Sequence, residues 1–137
     1  MYDPNLVQPM REELTAAGVK EMLTAQDVDQ VLGQKQGTVL VVVNSVCGCA
    51  AGGARPSVKI ALQHNKLPDS VTTVFAGQDK DATERARSYF VGFPPSSPSM
   101  ALLKDGEVVY MLHRQDIEGY SPEQIASQLI AAFDSHC

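Results

Sequence analysis

The residues of this chain best suited to chemistry are two cysteines one glycine apart. They lie in the stretch V-V-V-N-S-V-C-G-C-A-A-G-G-A-R-P, Val41 to Pro56. Two thiols so placed could form a disulfide clip, half of a metal site or a working thiol pair. A disulfide needs Cβ atoms roughly 3.5–4.5 Å apart. Residues two apart on a strand share a face but are separated by about 6.5 Å of rise. On a helix they point about 200° apart. Neither regular element closes the bond, so the pair belongs in a turn whose dihedrals Gly48 would permit. The ring would be small, and strained disulfides are the readily reduced kind. That suits a redox pair better than a permanent clip.

Reactivity depends on which thiol ionises. Cys47 ends a strand-like run, and a helix N-terminus beyond it would favour its thiolate by up to ~2 kcal/mol. Apart from Arg55, no Lys, Arg or His lies beside the pair in sequence, so the helix end is the expected activator. Cys47 is therefore the candidate nucleophile, and Cys49, one step into the helix, the candidate resolving thiol. A metal site would need two further ligands from His64, His113, His136 and Cys137. None of these forms a second spaced pair, so no metal is expected. Gly52 and Gly53 are followed by neither Gly-Lys-Ser/Thr nor G-x-G-x-x-G, which sets a phosphate loop aside.

The elements that must position the pair can be read from patterning. Thr38–Asn44 is almost wholly β-branched or apolar, predicting a strand buried on both faces. Ala50–His64 predicts a helix that Pro56 kinks or breaks. Val71–Ala76 reads as a second buried strand, and Asp79–Phe90 as a helix with early acids and late arginines. Ala101–Lys104 and Glu107–Leu112 flank Asp105-Gly106, a hairpin signal. Ser121, Pro122 and Gln124 open a last helix running to about Asp134. Before all of these, Asn5–Ala17 and Thr24–Leu32 predict two helices. From residue 38 the order is strand, helix, strand, helix, strand, strand, helix. This is an α/β fold with a mixed central sheet of about four strands flanked by helices, in one domain (1–137) with an N-terminal helical extension (1–36). The thiols fall where a buried strand meets a helix, the edge at which open α/β sheets gather chemistry.

A second candidate lies far away in sequence. Pro98, in Ser97-Pro98-Ser99-Met100, immediately precedes the third core strand. A proline there can be cis. A cis bond would turn the Ser97 backbone toward Cys47, where an incoming chain could add as a strand. The ring would also keep metals off the thiolates.

Composition narrows the class of partner. The chain has 137 residues, is 44% apolar and 20% charged, and carries a formal net charge of -5. Acidic balance argues against nucleic acid as the main partner. No apolar run is long enough to span a membrane, and the first ten residues lack the basic and apolar parts of a secretory signal. A cytoplasmic protein is the expectation. Three cysteines suit no secreted disulfide framework. In a reducing compartment a close pair is more often catalytic or metal-binding than structural.

With these residues in place, the chain resembles the thioredoxin-like proteins, and more specifically the A/B-type bacilliredoxins. The motifs that carry the likeness are V-N-S-V-C-G-C-A-A-G-G-A-R-P, V-F-A-G-Q-D-K, P-P-S-S-P-S-M-A-L-L-K-D-G and I-E-G, spread over nearly the whole chain. The resemblance implies a thiol–disulfide oxidoreductase that frees S-bacillithiolated client proteins, with weak disulfide isomerase activity in some members. It implies Cys47 as the attacking and Cys49 as the resolving cysteine, Ser97 and Pro98 as the substrate-binding cis-proline edge, no bound cofactor, and bacillithiol as thiol co-substrate. Bacillithiol or a reductase would recycle the enzyme. The alternatives are a general protein disulfide reductase or isomerase, and a metal-binding or redox-sensing module. The chain lacks the Trp-Cys-Gly-Pro-Cys motif of thioredoxins and has no acid in Val39–Val43 to relay protons. Cys137 is an auxiliary thiol candidate, less well placed to resolve Cys47 than Cys49 is. Arg55 could meet a bacillithiol carboxylate or make a structural contact, and the structural reading is favoured. Arg114, Glu118 and Gly119 match the family but receive no physical role from the sequence.

Overall fold

A computed structural model describes all 137 residues. In chain order the elements are α1 (Pro4–Thr15), β1 (Lys20–Glu21), α2 (Ala25–Leu32), β2 (Thr38–Asn44), a π-helical turn (Ala50–Ala54) running into α3 (Arg55–Ala61), β3 (Ser70–Phe75), α4 (Lys80–Ser88), β4 (Ser99–Lys104), β5 (Glu107–Leu112), α5 (Arg114–Ile117) and α6 (Pro122–His136). The sheet order is β1-β3-β2-β4-β5. Strands β1, β3 and β2 run parallel, whereas β4 and β5 are antiparallel additions.

Strand β2 lies at the centre, and all seven of its residues are buried. Its side chains alternate between two cores. Leu40 and Val42 pack with Val58, Ile125, Leu129 and Phe133 under α3 and α6. Val39, Val41 and Val43 pack with Val28, Leu32, Ala82 and Ala86 under α2 and α4. A strand apolar on both faces can only sit between two helical layers, which is why its pattern is continuous rather than alternating.

The ends of the elements follow their local chemistry. Thr24 and Asp27 form a capping box on α2, and Ser121 and Gln124 form one on α6 with Pro122 in its first turn. At the hairpin, Asp105 (φ 51°) and Gly106 (φ 89°) are both left-handed, the conformation that matches the twist of the flanking strands.

Three expectations need correction. The sheet has five strands rather than about four, because Lys20–Glu21 pairs in parallel with Thr72–Thr73 at the edge of β3. The segment 1–36 is therefore not purely helical; a two-residue strand is too short to leave a periodicity. Arg11 ties this region down, its guanidinium meeting Asp79 at 2.7 and 3.1 Å and Glu21 at 3.0 Å. The third correction concerns the helix after the thiols. It runs through Pro56 but opens as a π turn over Ala50–Ala54, and its α-helical part ends at Ala61 rather than His64. Within that turn, a Cβ on Gly53 would stand 3.2 Å from Ile125 Cδ1, so the glycine allows α6 to approach closely.

Candidate active site

Cys47 stands just past β2, and the helical run begins at Gly48. The Cys47 carbonyl accepts from the Ala50 and Ala51 N–H groups at 3.0 and 3.2 Å, which winds the chain into its first turn. The approach to the thiols is built on Asn44 and Ser45, both buried. Asn44 Oδ1 accepts from the Ser45 N–H at 2.9 Å, and Ser45 Oγ accepts from the Cys47 N–H at 3.3 Å. Beneath them lies Arg55, only 2% exposed. Its Nη1 donates to Asn44 Oδ1 at 3.0 Å and to the Ser45 carbonyl at 2.8 Å, and its Nε donates to Glu13 at 3.2 Å. Arg55 is thus a buttress under the loop, as the structural reading has it, and is not available to a substrate.

The thiols are free and half-buried, and they are held apart in acidity. Burial pushes the Cys47 thiol up, but hydrogen bonds to its sulfur outweigh this and hold it below its ordinary value. The donors are the Cys49 thiol, the Ala50 and Cys49 backbone N–H groups and the Ser45 hydroxyl. Cys49 moves the opposite way. Burial raises it first, then its hydrogen bond to Cys47 and the charge that Cys47 carries. Cys47 is therefore the more readily ionised thiol and Cys49 the less, the division of labour that exchange chemistry needs.

The Ser97–Pro98 peptide bond is cis. The pairing of Val43 with Ser99 in the β2–β4 ladder places Pro98 beside the end of β2 that leads to Cys47. Three contacts hold this loop. Arg87 of α4 donates to the Ser96 carbonyl at 3.2 Å, the Arg114 N–H donates to Ser96 Oγ at 3.2 Å, and Arg114 Nη1 reaches the Ser97 carbonyl at 3.5 Å. The fold thus brings Cys47, Cys49, Ser97 and Pro98 to one edge of the sheet. It does not bring Cys137 there.

Cys137 packs against the core under α6, beside Thr38 at the opposite end of β2. Six residues of strand, roughly 20 Å, separate the two ends. Burial raises its thiol, and the Asp69 charge adds to the rise. His64 pairs with Asp134 at 2.8 Å, and no group of three or more His, Cys, Asp or Glu side chains converges as a metal site.

The family-model description that matches the chain is "Disulphide isomerase", over residues 2–137. A bacilliredoxin of Geobacillus kaustophilus is 56% identical over 137 residues, covering 99% of this chain and 94% of that protein. A bacilliredoxin of Shouchella clausii is 55% identical over 136 residues, with the same coverages. The chain belongs to the bacilliredoxin family. Its fold is that of thioredoxin: Fasciola hepatica thioredoxin superposes with a TM-score of 0.59 at 16% identity, covering 87% of this chain and all of that one. Schistosoma mansoni thioredoxin gives 0.56 at 20% identity, over 84% of this chain and 97% of that one. Like other bacilliredoxins it is a thiol–disulfide oxidoreductase.

Sequence reasoning anticipated only part of what surrounds the thiols of this bacilliredoxin. It found no cation beside them except Arg55 and made the helix end the activator. Among the groups that hold Cys47 down, the Cys49 thiol comes first and backbone N–H groups next. The nearby cation is Arg114, the first residue of α5. Its Nε donates to Glu118 at 3.1 Å, and its positive charge opposes the rise at Cys49. Arg114 lies 67 residues from Cys47 in sequence, and a short helix such as α5 leaves no pattern that would fold it back. Ser45 was within the quoted motif but carried no signal of its own. Gly48 also differs from expectation. It has no left-handed φ, and a Cβ there would meet nothing within 4 Å, so the reduced pair does not require a glycine.

Proposed function

We propose that this chain reduces mixed disulfides between protein cysteines and bacillithiol. The Cys47 thiolate attacks the bacillithiol sulfur, the client cysteine leaves as a thiol, and Cys49 then displaces bacillithiol, leaving a Cys47–Cys49 disulfide for bacillithiol or a dithiol reductase to reduce. Ser97 and Pro98 offer the edge along which the client backbone lies. No bound cofactor is required, and the setting is the reducing cytoplasm. The observation that supports this reading best is the meeting of Cys47, Cys49 and the cis Ser97–Pro98 bond at one edge of the sheet, with Cys47 the more acidic of the two thiols. A thiolate beside a protonated neighbour attacks first and is resolved second.

A second reading has the description of the matching family behind it: general reduction or isomerisation of protein disulfides by the same pair. The two are separated by substrate. Reduced protein is offered a bacillithiolated client and, separately, an ordinary protein disulfide. Release from the first alone supports the proposal; equal turnover of both favours the general reductase. In Cys49→Ser, bacillithiol should accumulate on Cys47 as a mass adduct. Absence of that adduct, with client release intact, would overturn the assignment of the two roles.

A further inference from the structure

An arginine suited to the acidic end of a small thiol must be near the sulfurs and free to change partners. Arg55 meets the first condition but not the second, because it is buried and committed to Asn44, Ser45 and Glu13. Arg114 meets both. Its side chain is 48% exposed, and its carboxylate partner Glu118, at 3.1 Å, is 62% exposed. A pair so open to water is weak and exchanges readily.

Arg114 also forms part of a cleft of about 360 Å³. Pro94, Pro95 and Ser96 line it on one side, and His113, Arg114 and Glu118 on the other. The cleft adjoins the Ser97–Pro98 edge through Ser96, whose hydroxyl and carbonyl are both held. Its walls are largely fixed in advance. Two prolines offer little freedom. The His113 N–H donates to Asp116 at 3.0 Å, and its ring packs against Phe93 with ring centres 6.0 Å apart. The parts left to move are the Arg114 and Glu118 side chains.

We propose that this cleft is the subsite for the carboxylate-bearing end of the small thiol, with Arg114 passing from Glu118 to the substrate carboxylate. The inference rests on the function proposed above and adds a means of choosing between two sulfurs. A mixed disulfide offers Cys47 either the client sulfur or the small-thiol sulfur, and attack on the wrong one leaves the client attached to the enzyme. A carboxylate held at Arg114 sets the small-thiol sulfur at Cys47. The Cys47–small-thiol bond forms as the client–small-thiol bond breaks, and the client thiolate takes a proton from water. Cys49, once deprotonated, attacks Cys47 Sγ and expels the small thiol. The dithiol has then lost two electrons and the mixed disulfide has gained them. The planar guanidinium suits a carboxylate in two-point contact, which a lysine would reproduce only in charge.

The test uses one client cysteine carrying three adducts: bacillithiol (acidic), 2-mercaptoethanol (neutral) and cysteamine (cationic). The readout is kcat/KM for adduct release by the full chain. The wild type should favour the acidic adduct. Arg114→Gln should lose roughly 10- to 30-fold on it, the scale of a hydrogen bond to a charged group, but no more than about threefold on the neutral adduct. Arg114→Lys should recover part of the difference. Glu118→Gln, which releases Arg114, should raise the rate on the acidic adduct a few-fold. Equal losses on all three adducts in Arg114→Gln would overturn the subsite, assigning Arg114 to the thiols alone and leaving the proposed function standing. Failure of the wild type to release any adduct, with an ordinary protein disulfide still reduced, would overturn the function and the subsite together.

Discussion

The two ends of β2 each carry cysteine chemistry, and the fold treats them in opposite ways. At the C-terminal end, the Cys49 thiol, backbone N–H groups and the Ser45 hydroxyl make Cys47 more acidic than an ordinary cysteine. At the N-terminal end, Cys137 sits beside Thr38, and burial holds its thiol protonated. The supports differ in kind as well. The first end rests on a buried cation, with Arg55 joining Glu13, Asn44 and the Ser45 carbonyl. The second is tied by neutral and carboxylate contacts to backbone: Thr38 N–H donates to Asp69 at 3.0 Å, Asp69 N–H to Thr38 Oγ1 at 2.9 Å, and Gly37 N–H to Asp105 at 2.9 Å. Donors aimed at one sulfur create a nucleophile; the same atom placed against apolar surface becomes packing.

The largest effect should come from exchanging the sulfurs for oxygen. Cys47→Ser should lower thiol–disulfide exchange by at least about 1000-fold, as loss of a nucleophile does, while Cys137→Ser stays within about twofold. Release of a chromophoric or fluorescent thiol from a mixed disulfide measures both. A large loss in Cys137→Ser would break the comparison and bring the far end of the strand into the chemistry.

Next in size is the buttress. Arg55→Met removes a buried cation and strands the Ser45 carbonyl and Glu13, a change that costs about 3 kcal/mol or more. Thermal unfolding should show a fall in Tm on the order of 10 °C. A fall of only one or two degrees would mean that the loop under Cys47 stands without it.

A finer cut separates donors to the sulfur from support of the loop. Ser45→Ala removes the hydroxyl that donates to Cys47 and also the acceptor of the Cys47 N–H. The Cys47 acidity should weaken, and alkylation by iodoacetamide near pH 6.5 should slow roughly three- to tenfold. Cys137 alkylation in the same sample provides the internal reference and should not change. Equal slowing of both would point to a general loss of structure instead.

These contrasts also mark what the sequence could disclose. The double-sided apolar run of Thr38–Asn44, the Asp105-Gly106 turn and the caps at Thr24 and Ser121 are local signals, and each appears in the fold where its chemistry requires. The thiol pair and Pro98 were legible for a related reason: both lie where a strand begins or ends, so the element order alone brings them together. Lys20–Glu21 was not legible, because two residues carry no alternation and their pairing depends on an edge that β3 supplies. Arg114 was hidden more deeply. Its role is created by tertiary approach, through a one-turn helix and a cis-proline loop, and nothing near Cys47 in the chain points to it. The Cys-Gly-Cys spacing suggested a turn that needs glycine, yet Gly48 has no left-handed φ and the pair sits at the helix start that leads into the π turn.

The smallest effect tests the far end directly, through the pH dependence of stability. A thiol whose acidity is weakened by folding, as at Cys137, contributes stability that is fully present below the unfolded value, about 8.5, and lost as pH rises through the folded one. Cys47, lowered by folding, contributes with the opposite sign: its share is present above the unfolded value and lost as pH falls through the folded one. Cys49 is raised and acts in the same sense as Cys137, so comparison within the wild type would mix three thiols. The difference between wild type and Cys137→Ala isolates one of them. Wild type should be the more stable at pH 7, because the half-buried sulfur packs against the core, and its lead in Tm should shrink by no more than about 3 °C by pH 10. A lead that holds steady across that range would mean that the Cys137 thiol ionises as freely in the folded chain as in the unfolded one. The opposition between the two ends of β2 would then rest on Cys47 alone.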